Sequence, residues 1–465
     1  MQSRSSSTDQ RSAPSSRSAI IALGALGLAD IAFAFQQTAV IPAIPTIEHQ
    51  FRAGSTWTAW LLSGYLVASS VATPLLGKLA DLHGKRRLLS AALGLFLIGS
   101  VGAALAPSLA ALIVFRALQG AGGAVFPLSL SIARERLPRG RVGVGIGLLT
   151  GAFGIGTTLG FAVSGAIVEL ASWRWVFGAG ALAVLLALLP LPWTVPRSTT
   201  RAVGRLDLAG GGLLTGGVAL LLVALTEGVP LGWGSWPVIV LFAGGLVGLA
   251  AWVVHDLRAP EPLIDLGILA HRPVLLTNLA TLALGYALFA FYLLIPYLLA
   301  GGHGSGFDVG PLATGLYLLP TAVGQLLAGA ASGFIAARMG RKATFTCGMA
   351  LTAATGAWLA LLHSTPWEVL IGMAGLGLGN GLAIGVASAL ITDRAPATQT
   401  GIATALNSVV RRVGGGVGSQ ISAAVLASAA VASGTPAMST FAVAFWICAA
   451  VALAGTGLAA FIGPG

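Results

Sequence analysis

Along the chain, long apolar runs alternate with short polar loops. A helix needs about 20 apolar residues to cross a hydrocarbon core, and runs of that length fall near residues 18–45, 56–77, 88–106, 109–133, 142–168 and 173–194. Two more follow near 207–227 and 236–254, and a last group near 272–300, 311–337, 343–363, 367–391, 400–430 and 438–462. This pattern predicts an all-α polytopic membrane protein of about fourteen crossings. The first seventeen residues are rich in Ser and Arg without apolar periodicity and read as a disordered tail. The run from Ala19 is too long for a signal-peptide core and lacks a small-residue cleavage site, so it is expected to remain as the first span.

The polar positions orient the chain. With the tail in the cytoplasm, twenty of the 25 lysines and arginines fall on loops of that side. Only Arg52 and Arg174 fall on the other, and Arg116, Arg411 and Arg412 lie inside spans. The positive-inside rule therefore predicts cytoplasmic termini. The net charge of +11 becomes a topology signal, which removes the nucleic-acid reading that such a charge would suggest for a soluble protein. Composition agrees, since 56% hydrophobic residues and a mean hydropathy of +0.90 lie beyond the range of water-soluble domains. Cys347 and Cys448 sit in apolar runs and read as small packing residues.

The chain also repeats itself. "GKLADLHGKRR" (77–87) and "GFIAARMGRK" (333–342) share a seven-residue step between glycines at an offset of 256, and Pro138 and Pro396 are offset by 258. The expected organisation is a tail (1–17), an N-terminal six-helix bundle (18–196), a linker with two extra spans (197–260) and a C-terminal six-helix bundle (261–465). Two such units meeting at a midplane site are a transporter plan.

At this point the motifs carry a resemblance. "GKLADLHGKRR" resembles the G-x-L-A-D-r-x-G-r-r loop of the major facilitator superfamily, and "RALQGAGGA" (116–124) is similar to its fourth-helix R-x-x-Q-G-x-G motif. "QQTAVIPAIPTI" (36–47), "SWRWVF" (172–177), "GWGSW" (232–236) and "EPLIDLGIL" (261–269) resemble its fourteen-span drug:proton antiporter branch. The resemblance implies two six-helix bundles plus two inserted central helices, and export of small amphipathic compounds in exchange for protons. It assigns the 77–87 loop to switching between inward- and outward-facing states, through Gly77, Asp81, Gly84 and Arg86. Physically, Asp81 can pair with Arg86 or Arg87, or accept from helix N-terminal amides. The second copy carries Ala337 where Asp81 would sit.

Charges within spans are functional candidates because each costs at least about 2.5–3.5 kcal/mol at the bilayer centre. Counted from the predicted span ends at 1.5 Å per residue, Asp30 and Arg116 fall at similar depths. They are expected to face each other or a shared cavity, with Asp30 either carrying the coupling proton or neutralising Arg116. The antiporter branch places its first-span acid as D-x-T; Gln36 stands there, two residues before Thr38, so Asp30 is the substitute. Gln36, Gln37, Gln119 and Gln325 are candidate substrate hydrogen-bonders. Arg411 and Arg412 form an adjacent pair in the thirteenth run, and two bases with one acid favour anionic or neutral amphiphiles over cations. Gly156, Gly160 and Gly165 resemble the antiporter motif of the fifth helix and suit close helix packing, although the proline that follows in the family is Phe161 here.

The lysines, Lys78, Lys85 and Lys342, do not occur in a phosphate-loop context, so transport is expected to run on a gradient. The six histidines lack metal-ligand spacing, no catalytic constellation stands out, and "GLGLGNG" (375–381) lies inside an apolar run without a preceding strand. No enzyme activity, cofactor or metal is expected. The expected partners are a small-molecule substrate, protons and the lipid bilayer, without nucleic acid, and a monomer is compatible with this plan. Arg outnumbers Lys 22 to 3, as in proteins of GC-rich bacterial genomes, which points to a bacterial inner (plasma) membrane. The rival readings are a dedicated metabolite importer or exchanger and a non-transporting membrane sensor or scaffold.

Overall fold

The computed structural model describes residues 16–137, 142–195, 207–260, 262, 266, 271–301, 306–392, 400–433 and 437–462. Most of the N-terminal tail, and the repeated prolines 138 and 396, lie outside them. Ser16 and Arg17, read as tail, already belong to the first helix. Among the described residues there is no strand, and fourteen helices are long and apolar enough to cross a membrane. They are α1 (Ile20–Phe51), α2 (Ser55–His83), α3 (Lys85–Ala104), α4 (Leu109–Arg136), α5 (Val144–Leu170), α6 (Trp173–Thr194), α7 (Leu208–Leu231), α8 (Trp236–Asp256), α9 (Arg272–Ala300), α10 (Pro311–Met339), α11 (Arg341–Leu361), α12 (Pro366–Ile391), α13 (Leu406–Ala430) and α14 (Met438–Ala460).

Odd-numbered helices run away from the face on which α1 begins, here called the N-terminal face, and even-numbered helices return to it. Helices α1–α6 form one bundle and α9–α14 the other, with α7 and α8 as an inserted pair. Within bundles the strongest pairings are α1 with α5, α9 with α13, α10 with α12 and α11 with α14; α5 meets α10 and α2 meets α13 across the boundary. The inserted α7 packs on α2 and α13, and α8 packs on α7 with most of its surface outward. Such a surface of Leu, Val and Trp suits lipid rather than water.

Several helices outrun the apolar windows. Helix α1 continues past Pro42 and Pro45 by tightening into a 3-10 turn at Ile41–Ala43, where a proline's missing N–H is tolerated, and ends at Phe51. Helix α4 has a similar 3-10 segment at Gly120–Ala124, inside the "RALQGAGGA" stretch.

Candidate functional site

Between the bundles lies a cavity of about 620 Å³ that extends from mid-depth toward the N-terminal face. Residues such as Gly147, Thr150 and Ser388 line its end near that face, and Gln37, Tyr292 and Arg411 its deeper part. Aromatic rings dominate the deep walls, among them Phe33, Phe126, Phe153 and Phe289. Of the four glutamines expected at the substrate, Gln37 and Gln325 line it and Gln36 and Gln119 do not.

Among the described residues, two arginines supply all the formal charge on the lining, without any carboxylate. Their backbone is pressed against α9, because a Cβ at Gly285 would lie 2.0 Å from the Arg411 carbonyl oxygen and one at Gly414 2.2 Å from that of Leu282. Neighbours on a helix point about 100° apart, so the pair divides. Arg411 turns into the cavity near Tyr292 and has no hydrogen-bond or ion-pair partner among the described residues. Arg412 crosses to the other bundle, donating to the Ser69 carbonyl at 3.2 Å, to the Thr73 hydroxyl, and to the Gly123 carbonyl at 3.2 Å. Gly123 can present that carbonyl because it packs directly on Ser69, where any Cβ would collide.

Asp30 and Arg116, expected to meet, do not. Arg116 is wholly buried and donates to the Leu61 carbonyl at 3.0 Å, the Gln36 carbonyl at 3.4 Å and Gln119 Oε1 at 2.7 Å, with its guanidinium 4.6 Å from the Tyr65 ring centroid. Gln119 completes the network by donating to Ser100 at 2.9 Å. Asp30 is wholly buried beside Ser129, and neither carboxylate oxygen has a well-formed hydrogen bond. Arg116 reaches the Gln36 carbonyl, six residues and about 9 Å along α1 from Asp30. Neither Asp30 nor Arg116 lines the cavity.

The opposite face is closed. Tyr297 on α9 donates to Glu48 on α1, and Glu169 at the end of α5 accepts from the Leu312 amide of α10 at 3.0 Å. Phe161 stands edge-on to Tyr292 at 5.4 Å, and Tyr292 edge-on to Phe289 at 5.6 Å, so these rings floor the cavity. The α5 glycines make such contact possible. A Cβ at Gly156 would lie 2.4 Å from the Ile31 carbonyl, at Gly160 2.0 Å from Thr38 Oγ1, and at Gly165 2.4 Å from the Pro311 carbonyl. The first two seat α5 on α1, and the third seats it on α10.

The sequence profile of the Major Facilitator Superfamily matches residues 26–419 and 277–464. The chain belongs to this superfamily. It is 28% identical to the tetracenomycin C resistance and export protein of Streptomyces glaucescens over 85% of this chain and 73% of that protein. It is 31% identical to a multidrug resistance protein B homolog of Mycobacterium tuberculosis over 87% of this chain and 75% of that protein. Among solved structures, the partially occluded inward-open xylose transporter XylE from E. coli superposes with a TM-score of 0.65 at 15% identity, over 97% of this chain and 98% of that one.

The superfamily loop at 77–87 adopts a different pairing from the one its residue order suggests. Gly84, at φ +100°, ends α2, and α3 restarts at Lys85. Asp81 lies 4.0 Å from Lys85, which also pairs with Glu135 of α4. Arg86 instead donates to the carbonyls of Pro192 and Val195 at 2.9 and 3.0 Å, and Arg87 is exposed. The restart explains the exchange: Lys85 in the first turn faces back toward Asp81, and Arg86, a third of a turn round, faces the end of α6. Gly77 has open space where a Cβ would be. In the second copy Gly340 takes the same left-handed turn, at φ +86°, and Arg338 covers the Phe334 ring at 4.2 Å.

Sequence reasoning missed Asn407, which donates to Asn278 at 3.1 Å and to Thr281 at 3.0 Å at the cavity wall. Its position one helical turn before Arg411 was the available signal. Thr226 was also missed; it accepts from Trp60 Nε1 at 2.8 Å and lies 3.3 Å from Gln420 Oε1, so the inserted α7 touches both bundles.

Proposed function

We propose that this protein is a secondary active exporter of small amphipathic compounds, exchanging them for protons by alternating access. The carrying observation is the inter-bundle cavity, extended toward the N-terminal face and sealed on the other by the Glu48–Tyr297 and Glu169–Leu312 bonds and the Phe161–Tyr292–Phe289 rings. If the N-terminal face is cytoplasmic, as the positive-inside rule argues, this conformation faces inward and loads from the cytoplasm or inner leaflet. The names of the relatives, a tetracenomycin C export protein and multidrug resistance proteins, support export. The reading places the chain in a bacterial plasma membrane, working as a single copy and without enzymatic chemistry.

Asp30 is the proposed proton carrier. A carboxyl enclosed in one conformation and reached by water in the other takes up and releases a proton in step with the cycle. Arg116, tied into α2, α4 and α1, is then a positioning residue for the packing around Gln36. The 77–87 loop is the proposed gate, with Asp81 free to exchange Lys85 for another partner in the opposite conformation. A dedicated metabolite exchanger is the second reading, favoured by Gln36 standing where the antiporter branch has an acid.

The test is efflux from liposomes containing the purified protein, using several unrelated amphiphiles with and without an imposed pH gradient. Gradient-driven movement of several compounds, lost in Asp30→Asn while the variant still folds, is the expected result. Movement of one compound irrespective of the gradient would establish the exchanger instead.

A further inference from the structure

Arg411, half-buried at the cavity, differs from the buried Arg116 and Arg412 because its neighbours leave it unanswered. Arg116 has three protein acceptors and Arg412 has three, so both are committed to holding helices together. Arg411 has none among the described residues, projects into the cavity, and meets no carboxylate on its walls. A guanidinium whose donors face a cavity and not protein acceptors is left free to pair with an anion that enters there. Its flat fork of donors matches a carboxylate, sulfonate or ionised phenol with two parallel hydrogen bonds.

The surroundings restrict the rest of the ligand. Phe289 and Tyr292 lie on the same side of the cavity as Arg411, and Phe33, Phe126 and Phe153 face them from the other bundle. Rings on opposing walls suit a flat apolar body. Gln37 and Gln325, one from each bundle, offer neutral hydrogen-bonding groups that orient it without attracting a cation.

We propose that Arg411 is the anion-recognition residue of the cavity, and that the preferred substrates are flat aromatic amphiphiles carrying one acidic group. The proposal rests on the export reading for the word substrate, but the binding subsite it describes can be tested separately. Arg412 is excluded from that role because its donors already reach Ser69, Thr73 and Gly123. The division also explains why two adjacent bases are retained: one fastens the bundles and the other faces the ligand.

The experiment uses three dyes: fluorescein, an anion; rhodamine 123, a cation with the same tricyclic core; and Nile red, which is neutral. Binding to the purified full chain is measured by fluorescence anisotropy for wild type, Arg411→Gln and Arg411→Lys, and efflux is then measured in liposomes. Wild type is expected to bind fluorescein at least about tenfold more tightly than rhodamine 123, and Arg411→Gln to lose about tenfold or more for fluorescein. Nile red affinity stays within about twofold in that variant, which also reports that it is folded, and Arg411→Lys recovers part of the fluorescein affinity. Equal binding of the two xanthene dyes by wild type, no fluorescein binding, or parallel loss of all three dyes in Arg411→Gln with the protein still monodisperse would overturn the proposal. Fluorescein bound through Arg411 but no dye moved across the membrane would remove the export reading and leave the subsite. Nile red exported with no anion bound would do the reverse.

Discussion

Arg412 on α13 donates to the Ser69 carbonyl on α2 at 3.2 Å, so a charged side chain of the second bundle is fastened inside the first. Its other bonds, to Thr73 and to the Gly123 carbonyl, reach both α2 and α4, so the fork spans two helices from a third. A lysine in its place supplies a point charge on a flexible stem and cannot reach all three acceptors together. Arg412→Lys is expected to cost roughly 1.5–3 kcal/mol for the charged hydrogen bonds lost. Thermal unfolding of the purified protein checks this, with a lowered midpoint and reduced efflux expected. An unchanged midpoint would mean the contact is not a fastening.

The separation of Asp30 from Arg116 gives a second prediction. Were they an ion pair, removing either would leave a buried charge unanswered and the two substitutions would couple strongly. They have no direct contact, and Arg116 is held by Leu61, Gln36 and Gln119. The stability changes of Asp30→Asn and Arg116→Gln should therefore add to within about 0.5 kcal/mol in the double variant. Arg116→Gln alone should be the damaging one, because it removes the donor to the buried Gln119 Oε1 along with two bonds to helix carbonyls, at about 1–3 kcal/mol for the side-chain oxygen left unsatisfied. Coupling well above that margin would restore the counter-ion reading of Asp30.

The fold was readable because bilayer thickness imposes a length on each apolar run, and fourteen runs became fourteen helices. The helix ends were less readable. Nothing in hydropathy says that α1 continues through Pro42 and Pro45 to Phe51, and counting residues from span ends does not reveal that Arg116 turns to Leu61, Gln36 and Gln119 and not to Asp30. Partner choice within a loop was also hidden. Asp81 pairs with Lys85 rather than Arg86 or Arg87 because Gly84 restarts the helix, and the direction in which a restarted helix presents its first residues depends on tertiary packing. The split between Arg411 and Arg412 was partly visible, since adjacent helical residues cannot face the same way.

The α5 glycines give a prediction about packing with an internal control. A Cβ at Gly160 would fall 2.0 Å from Thr38 Oγ1 and 2.7 Å from the Phe35 carbonyl, so α1 and α5 would have to separate. Gly160→Ala is expected to destabilise by about 1–3 kcal/mol through overpacking. Gly94 in α3 has nothing within 4 Å of its would-be Cβ, and Gly94→Ala should be neutral or stabilising by up to about 1 kcal/mol. Unfolding midpoints of the two variants measured side by side decide the matter, and similar losses in both would mean that α5 does not depend on close approach.

The closed face makes the most direct prediction about the cycle. Glu48 and Tyr297 bridge α1 and α9, and Glu169 holds the first turn of α10 through the Leu312 amide. Both contacts cross from one bundle to the other on the same face, so the opposite conformation must break them. Cysteines introduced by Glu169→Cys and Leu312→Cys, in a Cys347→Ser background that removes the exposed native thiol, can be joined by a short cleavable bismaleimide. Joined protein should still bind Nile red but lose efflux at least about tenfold, since the closed face can no longer open. Cleaving the linker should restore efflux. Efflux that continues unchanged in the joined protein would show that this face never opens, and would leave the cavity a binding pocket rather than one half of a transport path.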